Sequence, residues 1–469
     1  MRRMVSGALK LAPFAVVLVL SSASVFVPPA WTIATLLAAA VLFVVMAIRL
    51  DPAELVVVST PLTFYADFNN GRLNLSVSDV FLVLLVAVLV LNPSHRANAH
   101  RVRAFNIFVW CSVAFLLAAM SVGVILASGA GELISWQAYF SDAAKLLVVF
   151  LYFSVAVMVF SDKLSHGDHR FLALWTNTAV VVAGLGIAGS LLYQRGVDLD
   201  LTLSFRAKGT FEDPNAFAAY LIASVGVAMI WSLMNRRRLI PWQVVPMIAG
   251  IALSYSRAAI VTCGAVLLVG FLVSLGVKQL RSLRWIACAM AAAAGIGFLL
   301  GGFSRLGEAQ RELNFEGDIR FQLWTAAIRV WSEHPVFGVG LGQFRSATAS
   351  LVDSPSSLLA HNTYLSFLAE GGIVGALLFL AIPGAVVVLL SREGGAVSRL
   401  FLLTVTAFLG MAATLNLQNF RPMWILLGIA VAWYTNQRAE ADSTAKSLGD
   451  RHFMDATLGP INENPPPFR

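Results

Sequence analysis

PVFGVGLGQF (residues 335–344) and HNTYLSFLAEGGIVGALLFLAIPGAVVVLL (361–390) decide the reading of this chain. The second stretch starts with polar residues and continues as an apolar run long enough to cross a bilayer as a helix. The first is a Gly-rich turn, with glycines at 338, 340 and 342. An imidazole and a carboxamide thus gather where the chain re-enters the bilayer. Polar groups placed there are costly unless they have a task.

Working outward, apolar runs of similar length recur from end to end. The chain has 469 residues, 58% hydrophobic and only 12% charged, against about 25% charged in a soluble domain. The runs do not alternate apolar with polar, which excludes a transmembrane barrel. The expected fold is all-α: a polytopic membrane protein of about 12–14 helices. Spans are expected near 11–28, 30–49, 52–66, 77–93, 104–127, 143–161, 171–194, 215–234, 239–254, 258–277, 285–303, 365–391, 400–418 and 422–436. The third is short, and could pair with the fourth as a re-entrant hairpin. The first run follows Arg2, Arg3 and Lys10, as a signal peptide would. No small-x-small site follows it, and a second span begins at once, so it reads as a retained span.

Residues 1–436 form one membrane domain in this reading, and 437–469 a disordered cytoplasmic tail. Cys111, Cys263 and Cys288 all lie in apolar runs, which supports neither a disulfide framework nor a zinc site.

The formal net charge of +8 is tested first against membrane orientation rather than nucleic acid, and no nucleic-acid partner is expected. Assigned to alternate sides, most Lys and Arg fall on one side, including Arg49, Lys163, Arg170, Arg236 to Arg238, Arg392 and Arg399. That side is the cytoplasm, with both termini. The cations opposite are few and clustered. Arg195, Arg206 and Lys208 lie in loop 195–214. Arg257 lies in a very short turn. Arg305, Arg311, Arg320, Arg329 and Arg345 lie in the large loop 304–364, and Arg421 before the last span. Anion binding is the obvious reason for cations on the disfavoured side.

FRAKGTFEDPNAFAAYL (205–221) places Arg206 and Lys208 before a helix start at Asn215, whose dipole also favours anions. A capped loop with interfacial cations explains the same residues. Arg257, ending SYSR, reads as an anion ligand or as a snorkelling side chain. DIRFQLWTAAIRVWSE (318–333) has Phe321, Trp324, Ile328 and Trp331 at helical spacing, so an amphipathic helix on the outer membrane face is expected. Arg320 would sit at its positive end. His361 shares the face of the arginines and is the candidate general base, with an unperturbed pKa of about 6.5. Glu370, about two turns further, could orient it or an acceptor, or pair with an arginine. Asp198 and Asp200 resemble a metal-binding DxD, but three letters are weak and no metal or cofactor is expected.

RAKGTFEDPNAFAAYL, SYSR, DIRFQLW and the pair PVFGVGLGQF and HNTYLSFLAEGGIVG together resemble the O-antigen ligase and polymerase superfamily of bacterial envelope enzymes, over roughly residues 60–435. The resemblance implies an inverting, metal-independent glycosyltransferase of the inner membrane. It would move a glycan from undecaprenyl diphosphate to an acceptor at the periplasmic face, for lipopolysaccharide or exopolysaccharide biosynthesis. It implies diphosphate binding by Arg206, Lys208, Arg257 and Arg320, and catalysis by His361 with Arg206 and Arg320. Asn362, Tyr364 and Glu370 would position the acceptor. Polymerisation of repeat units, with a possible chain-length regulator, is slightly preferred over ligation to lipid A-core. A lipid-linked glycan transporter is the rival from another class, but its charges belong near the midplane.

Overall fold

The computed structural model describes residues 52–61, 65–68, 73–76, parts of 78–89, and 99–235, 242–276, 306–349, 351–352 and 359–458. The expected spans 11–28, 30–49 and 285–303 lie outside these residues, and 77–93 is described only in part.

Helix α1 spans Pro52–Ser59. Strands β1 (Tyr65–Phe68) and β2 (Leu73–Ser76) follow, paired antiparallel with Tyr65 opposite Ser76. The expected span 52–66 is therefore one short helix and a strand. The reason is local: the alternation of LNLS, reached from YADF through Asn69, Asn70, Gly71 and Arg72, is a hairpin signal.

The main helices are α2 (Ala99–Gly129), α3 (Trp136–Ser165), α4 (Arg170–Tyr193), α5 (Pro214–Met234), α6 (Val244–Leu253) and α7 (Arg257–Gly276). Then come α8 (Leu306–Glu333), α9 (Phe344–Thr348), α10 (Thr363–Ser391), α11 (Ala396–Ala412) and α12 (Arg421–Leu458). Among the described residues, five helices are long and apolar enough to cross a membrane: Val102–Gly129 of α2, and α3, α4, α5 and α10. The chain is an all-α polytopic membrane protein.

Two expectations need correction. The expected tail is helical as far as Leu458. Its residues are mostly good helix formers with no proline before Pro460, and extending an existing helix needs no new nucleus. The amphipathic helix starts at Leu306 rather than Asp318, so Arg320 lies well inside it and not at its positive end.

The core is where α12 crosses α3. Trp424 meets Phe150 edge-on at 4.6 Å between ring centres, and Gly428 lets α12 approach Ala156 and the Phe153 carbonyl. Gly226 of α5 does the same against Thr404 of α11. Small residues at crossings are how helices pack closely in lipid, where apolar burial drives little. Between α3 and α12 the guanidinium of Arg421 forks onto Asp79, at 2.7 and 2.5 Å. Each side chain is 7% exposed.

Helix α10 is broken. Gly372 has φ 60° and ψ −162°, a conformation essentially restricted to glycine. The break frees backbone groups, and the segment 335–343 pairs with them. Val339 and Gly340 donate to the carbonyls of Ala369 and Glu370 at 3.0 and 2.8 Å, and Ile373 and Val374 donate to Pro335 and Val336 at 2.9 and 3.2 Å. Gly338, Gly340 and Gly342 all have positive φ and press on α10, α2 and α3 respectively.

Helices alternate direction, so one end of the bundle collects the loop after α4, the turn before α7, α8, the Gly-rich segment and the turn after α11. Lys163, Arg170, Arg392 and Arg399 lie at the opposite end, as the alternation of charge predicts.

We expect Gly372→Ala to cost at least about 2 kcal/mol, since a Cβ would be both strained and overlapping the Val336 backbone. Gly384→Ala, in open space on the same helix, should be near neutral. Thermal unfolding in detergent separates them. By the same assay Arg421→Ala should cost about 3–5 kcal/mol, because it strands a buried carboxylate.

Candidate active site

The loop after α4 is tied by a short pair, β3 (Thr202–Leu203) and β4 (Arg206–Ala207). Lys208 and Gly209 both donate to the Leu201 carbonyl. Asp213 caps α5, accepting from the Asn215 amide at 2.8 Å, and Pro214 opens the helix, where its fixed φ and missing N–H suit a first turn.

Arg206 is 1% exposed. Its Nε donates to the Ser254 carbonyl at 3.0 Å and its Nη2 to Asn215 Oδ1 at 3.1 Å. One guanidinium therefore joins three pieces: its own loop, the start of α5 and the SYS turn. Lys208 Nζ meets Asp200 Oδ1 at 2.6 Å, and Asp198 closes a turn on the Asp200 amide at 2.9 Å. Both carboxylates of the DxD look-alike thus have partners inside the loop. The Glu212 carboxyl is pushed above the usual range by desolvation, reinforced by Asp200 and Asp213 and opposed by Lys208.

The SYS turn is as short as the sequence suggests. Tyr255 adopts φ 51° and its ring meets Phe205 edge-on at 5.2 Å. Ser256 accepts from the Ala259 amide at 3.4 Å to cap α7. Arg257 follows with its side chain exposed. Ile260 and Val261 beside it are 49% and 72% exposed.

His361 is half-buried with φ 47°. Its neighbours hold it on both sides. Trp324 of α8 donates to the Ala360 carbonyl at 2.9 Å, and the Asn362 amide donates to Asn416 Oδ1 at 3.0 Å. Asn362 caps α10 through Oδ1, accepting from Tyr364 and Leu365. Thr363 Oγ1 donates to the Leu415 carbonyl at 2.7 Å and accepts from the Leu417 amide at 2.8 Å. The Tyr364 hydroxyl donates to the Leu409 carbonyl at 2.6 Å. Glu370 Oε1 accepts from the Phe344 amide at 3.1 Å, fixing the end of the Gly-rich segment.

Helix α8 packs its Leu323, Ala326, Ala327 and Val330 against Val339, Phe344, Ala360 and Ala369. Phe321 and Ile328, expected on a common apolar stripe with Trp324, are 71% and 50% exposed. His334 of the same loop lies 4.0 Å from Glu132.

The piece that sequence reasoning missed is the turn 413–420 between α11 and α12. It grips the His361 segment through Leu415, Asn416 and Leu417. Its Phe420 also packs on Phe211 of the Arg206 loop, ring centres 6.0 Å apart. It therefore ties the two halves of the site together. Gln343 was also missed: its amide clips both polar groups of Ser135 at 2.8 and 3.0 Å. Nothing short-range in either segment announces a partner so distant in the chain. The asparagines and glutamines at a helix start were the available signal.

Sequence comparison adds a family. No curated protein matches the chain. Residues 242–380 match the family model described as O-antigen ligase. The match takes in SYSR, α8, the Gly-rich segment, His361 and the break in α10, and supports membership of the chain in the O-antigen ligase and polymerase superfamily.

Proposed function

We propose that this protein is an inverting glycosyltransferase that moves a glycan from undecaprenyl diphosphate to an acceptor hydroxyl at the periplasmic face of the bacterial inner membrane. One observation carries the reading. The exposed guanidinium of Arg257 and the imidazole of His361 lie at one end of the bundle, on segments that the Arg206 loop and the turn 413–420 tie together.

The donor is already activated, so the enzyme has two tasks: to stabilise charge on the leaving diphosphate and to place the acceptor. Arg257 does the first with a planar fork of donors and no metal. Lys208 and Arg320 add charge, and Arg206 holds the turn that aims Arg257. The polyprenyl chain runs along the exposed apolar flank of α7 that begins at Ile260 and Val261. A ring nitrogen of His361 takes the acceptor proton as that oxygen attacks the anomeric carbon. The bond from that carbon to the phosphate oxygen breaks, and undecaprenyl diphosphate leaves. Asn362, Tyr364 and Glu370 position the acceptor indirectly, by holding the segment that carries His361 and its Gly-rich support.

A second lipid-linked repeat unit is the preferred acceptor, which makes a polymerase of a surface polysaccharide. The second reading, ligation to lipid A-core, is favoured by the description of the matching family.

Purified protein given an undecaprenyl diphosphate-linked repeat unit should make longer lipid-linked glycans, equally with and without EDTA. Transfer only once lipid A-core is added would make it a ligase. No transfer in either case would overturn the reading, and loss of turnover in EDTA would overturn its metal independence. His361→Ala should lower kcat about 10²–10⁴-fold, the range for a removed general base. Arg257→Lys should lower kcat/KM about 10-fold or more, since a point charge does not replace a fork. Both should insert and unfold like the parent protein; activity unchanged in either removes that residue from the site.

A further inference from the structure

The turn 413–420 carries three carboxamides, Asn416, Gln418 and Asn419. Asn416 is used within the protein: its Oδ1 accepts from the Asn362 amide and from Ser366 Oγ at 3.3 Å. The other two are not. Gln418 Oε1 and Asn419 Oδ1 are buried and accept no hydrogen bond from the described residues. Native folds keep few such groups, because a buried acceptor left unpaired costs stability. The other buried side-chain polar atoms without a partner among the described residues lie along helix shafts or at the far end of the bundle, from Asn106 to Gln243. These two lie at the site end, in the segment that bridges His361 and the Arg206 loop.

Both side chains are only half-buried, and each side-chain oxygen is turned inward. The backbone beneath them is rigid. The Gln418 carbonyl accepts from Trp424 Nε1 at 2.8 Å, Leu417 is held by Thr363, and Phe420 is wedged between Phe211 and Phe408. A rigid turn presenting two neutral amides suits a ligand that both donates and accepts hydrogen bonds without charge. Adjacent hydroxyls of a sugar ring do both. Neutral amides also leave the diphosphate to the cations.

We propose that Gln418 and Asn419 form a sugar-binding subsite next to His361 that selects the glycan at the transferred bond. The inference rests on the glycosyltransferase reading. It extends the site beyond the family match, which ends at residue 380.

The test uses Gln418→Met and Asn419→Leu, which keep side-chain bulk and remove the polar groups. The probe is the undecaprenyl diphosphate-linked repeat unit extracted from the producing cells, with full-length protein in detergent. If the amides serve the ligand, the double variant should unfold at the same temperature as the parent or higher, because two unpaired acceptors are gone. Its Kd or KM for glycan should rise about tenfold, with kcat nearly unchanged, the sign of lost uniform binding. A rise in Kd measured without acceptor assigns the subsite to the donor sugar. A rise only in the KM for acceptor assigns it to the acceptor. Parent-like binding and KM in the variant overturn the subsite while leaving the function standing. So does a loss of activity that tracks a lower unfolding temperature. A parent protein that neither binds nor transfers the probe overturns both.

Discussion

A helix in hydrocarbon has no water to satisfy the backbone groups that a break sets free. Helix α10 breaks at Gly372, and the carbonyls of Ala369 and Glu370 and the amides of Ile373 and Val374 need partners. The Gly-rich segment supplies all four, and much else follows from that pairing. The segment must lie flat against α10, α2 and α3, so its residues at 338, 340 and 342 can carry no Cβ. Its docking brings Phe344 to the Glu370 carboxylate and Gln343 to Ser135. It also presses α8 onto the bundle, where Trp324 takes hold of the chain at Ala360, one residue before His361. The described part of the large loop, 306–349, is thereby held against the bundle.

The charged groups divide by what they hold. Arg421 and Asp79 satisfy one another between α3 and α12, so this cation has a structural reason. Arg206 is also buried and committed to protein acceptors. What it accomplishes is geometric: it pins the SYS turn, and so sets where Arg257 emerges. The buried cation thus serves the frame, and the exposed one emerges from it.

Much of the site was legible because its signals are local. A proline and an asparagine after an aspartate announce the start of α5, and an asparagine after His361 announces the start of α10. A serine-flanked arginine between two apolar runs announces a turn with no room for a loop. The failures share a cause too. Arg320 was placed at a helix start because the apolar periodicity begins near it, yet α8 begins at Leu306, where polar helix formers carry no stripe. Phe321 and Ile328 stay exposed, as a helix on the membrane face allows, while Leu323, Ala326 and Ala327 fit against the glycine segment. The turn 413–420 was passed over because its importance lies in partners more than fifty residues earlier in the chain.

Composition and periodicity alone determined that the chain is a helical membrane protein. That property depends on transfer free energy and on a repeat along one segment, and each segment carries its own share. Only the tertiary structure decided which polar groups are committed to the frame and which are not. Glu370, Asn362 and Gln418 look alike as letters near a site. The first two spend their side-chain oxygens on backbone amides, and the third keeps its own unpaired among the described residues. A hydrogen bond is a relation between two groups, and half of each relation here is written in a distant part of the chain.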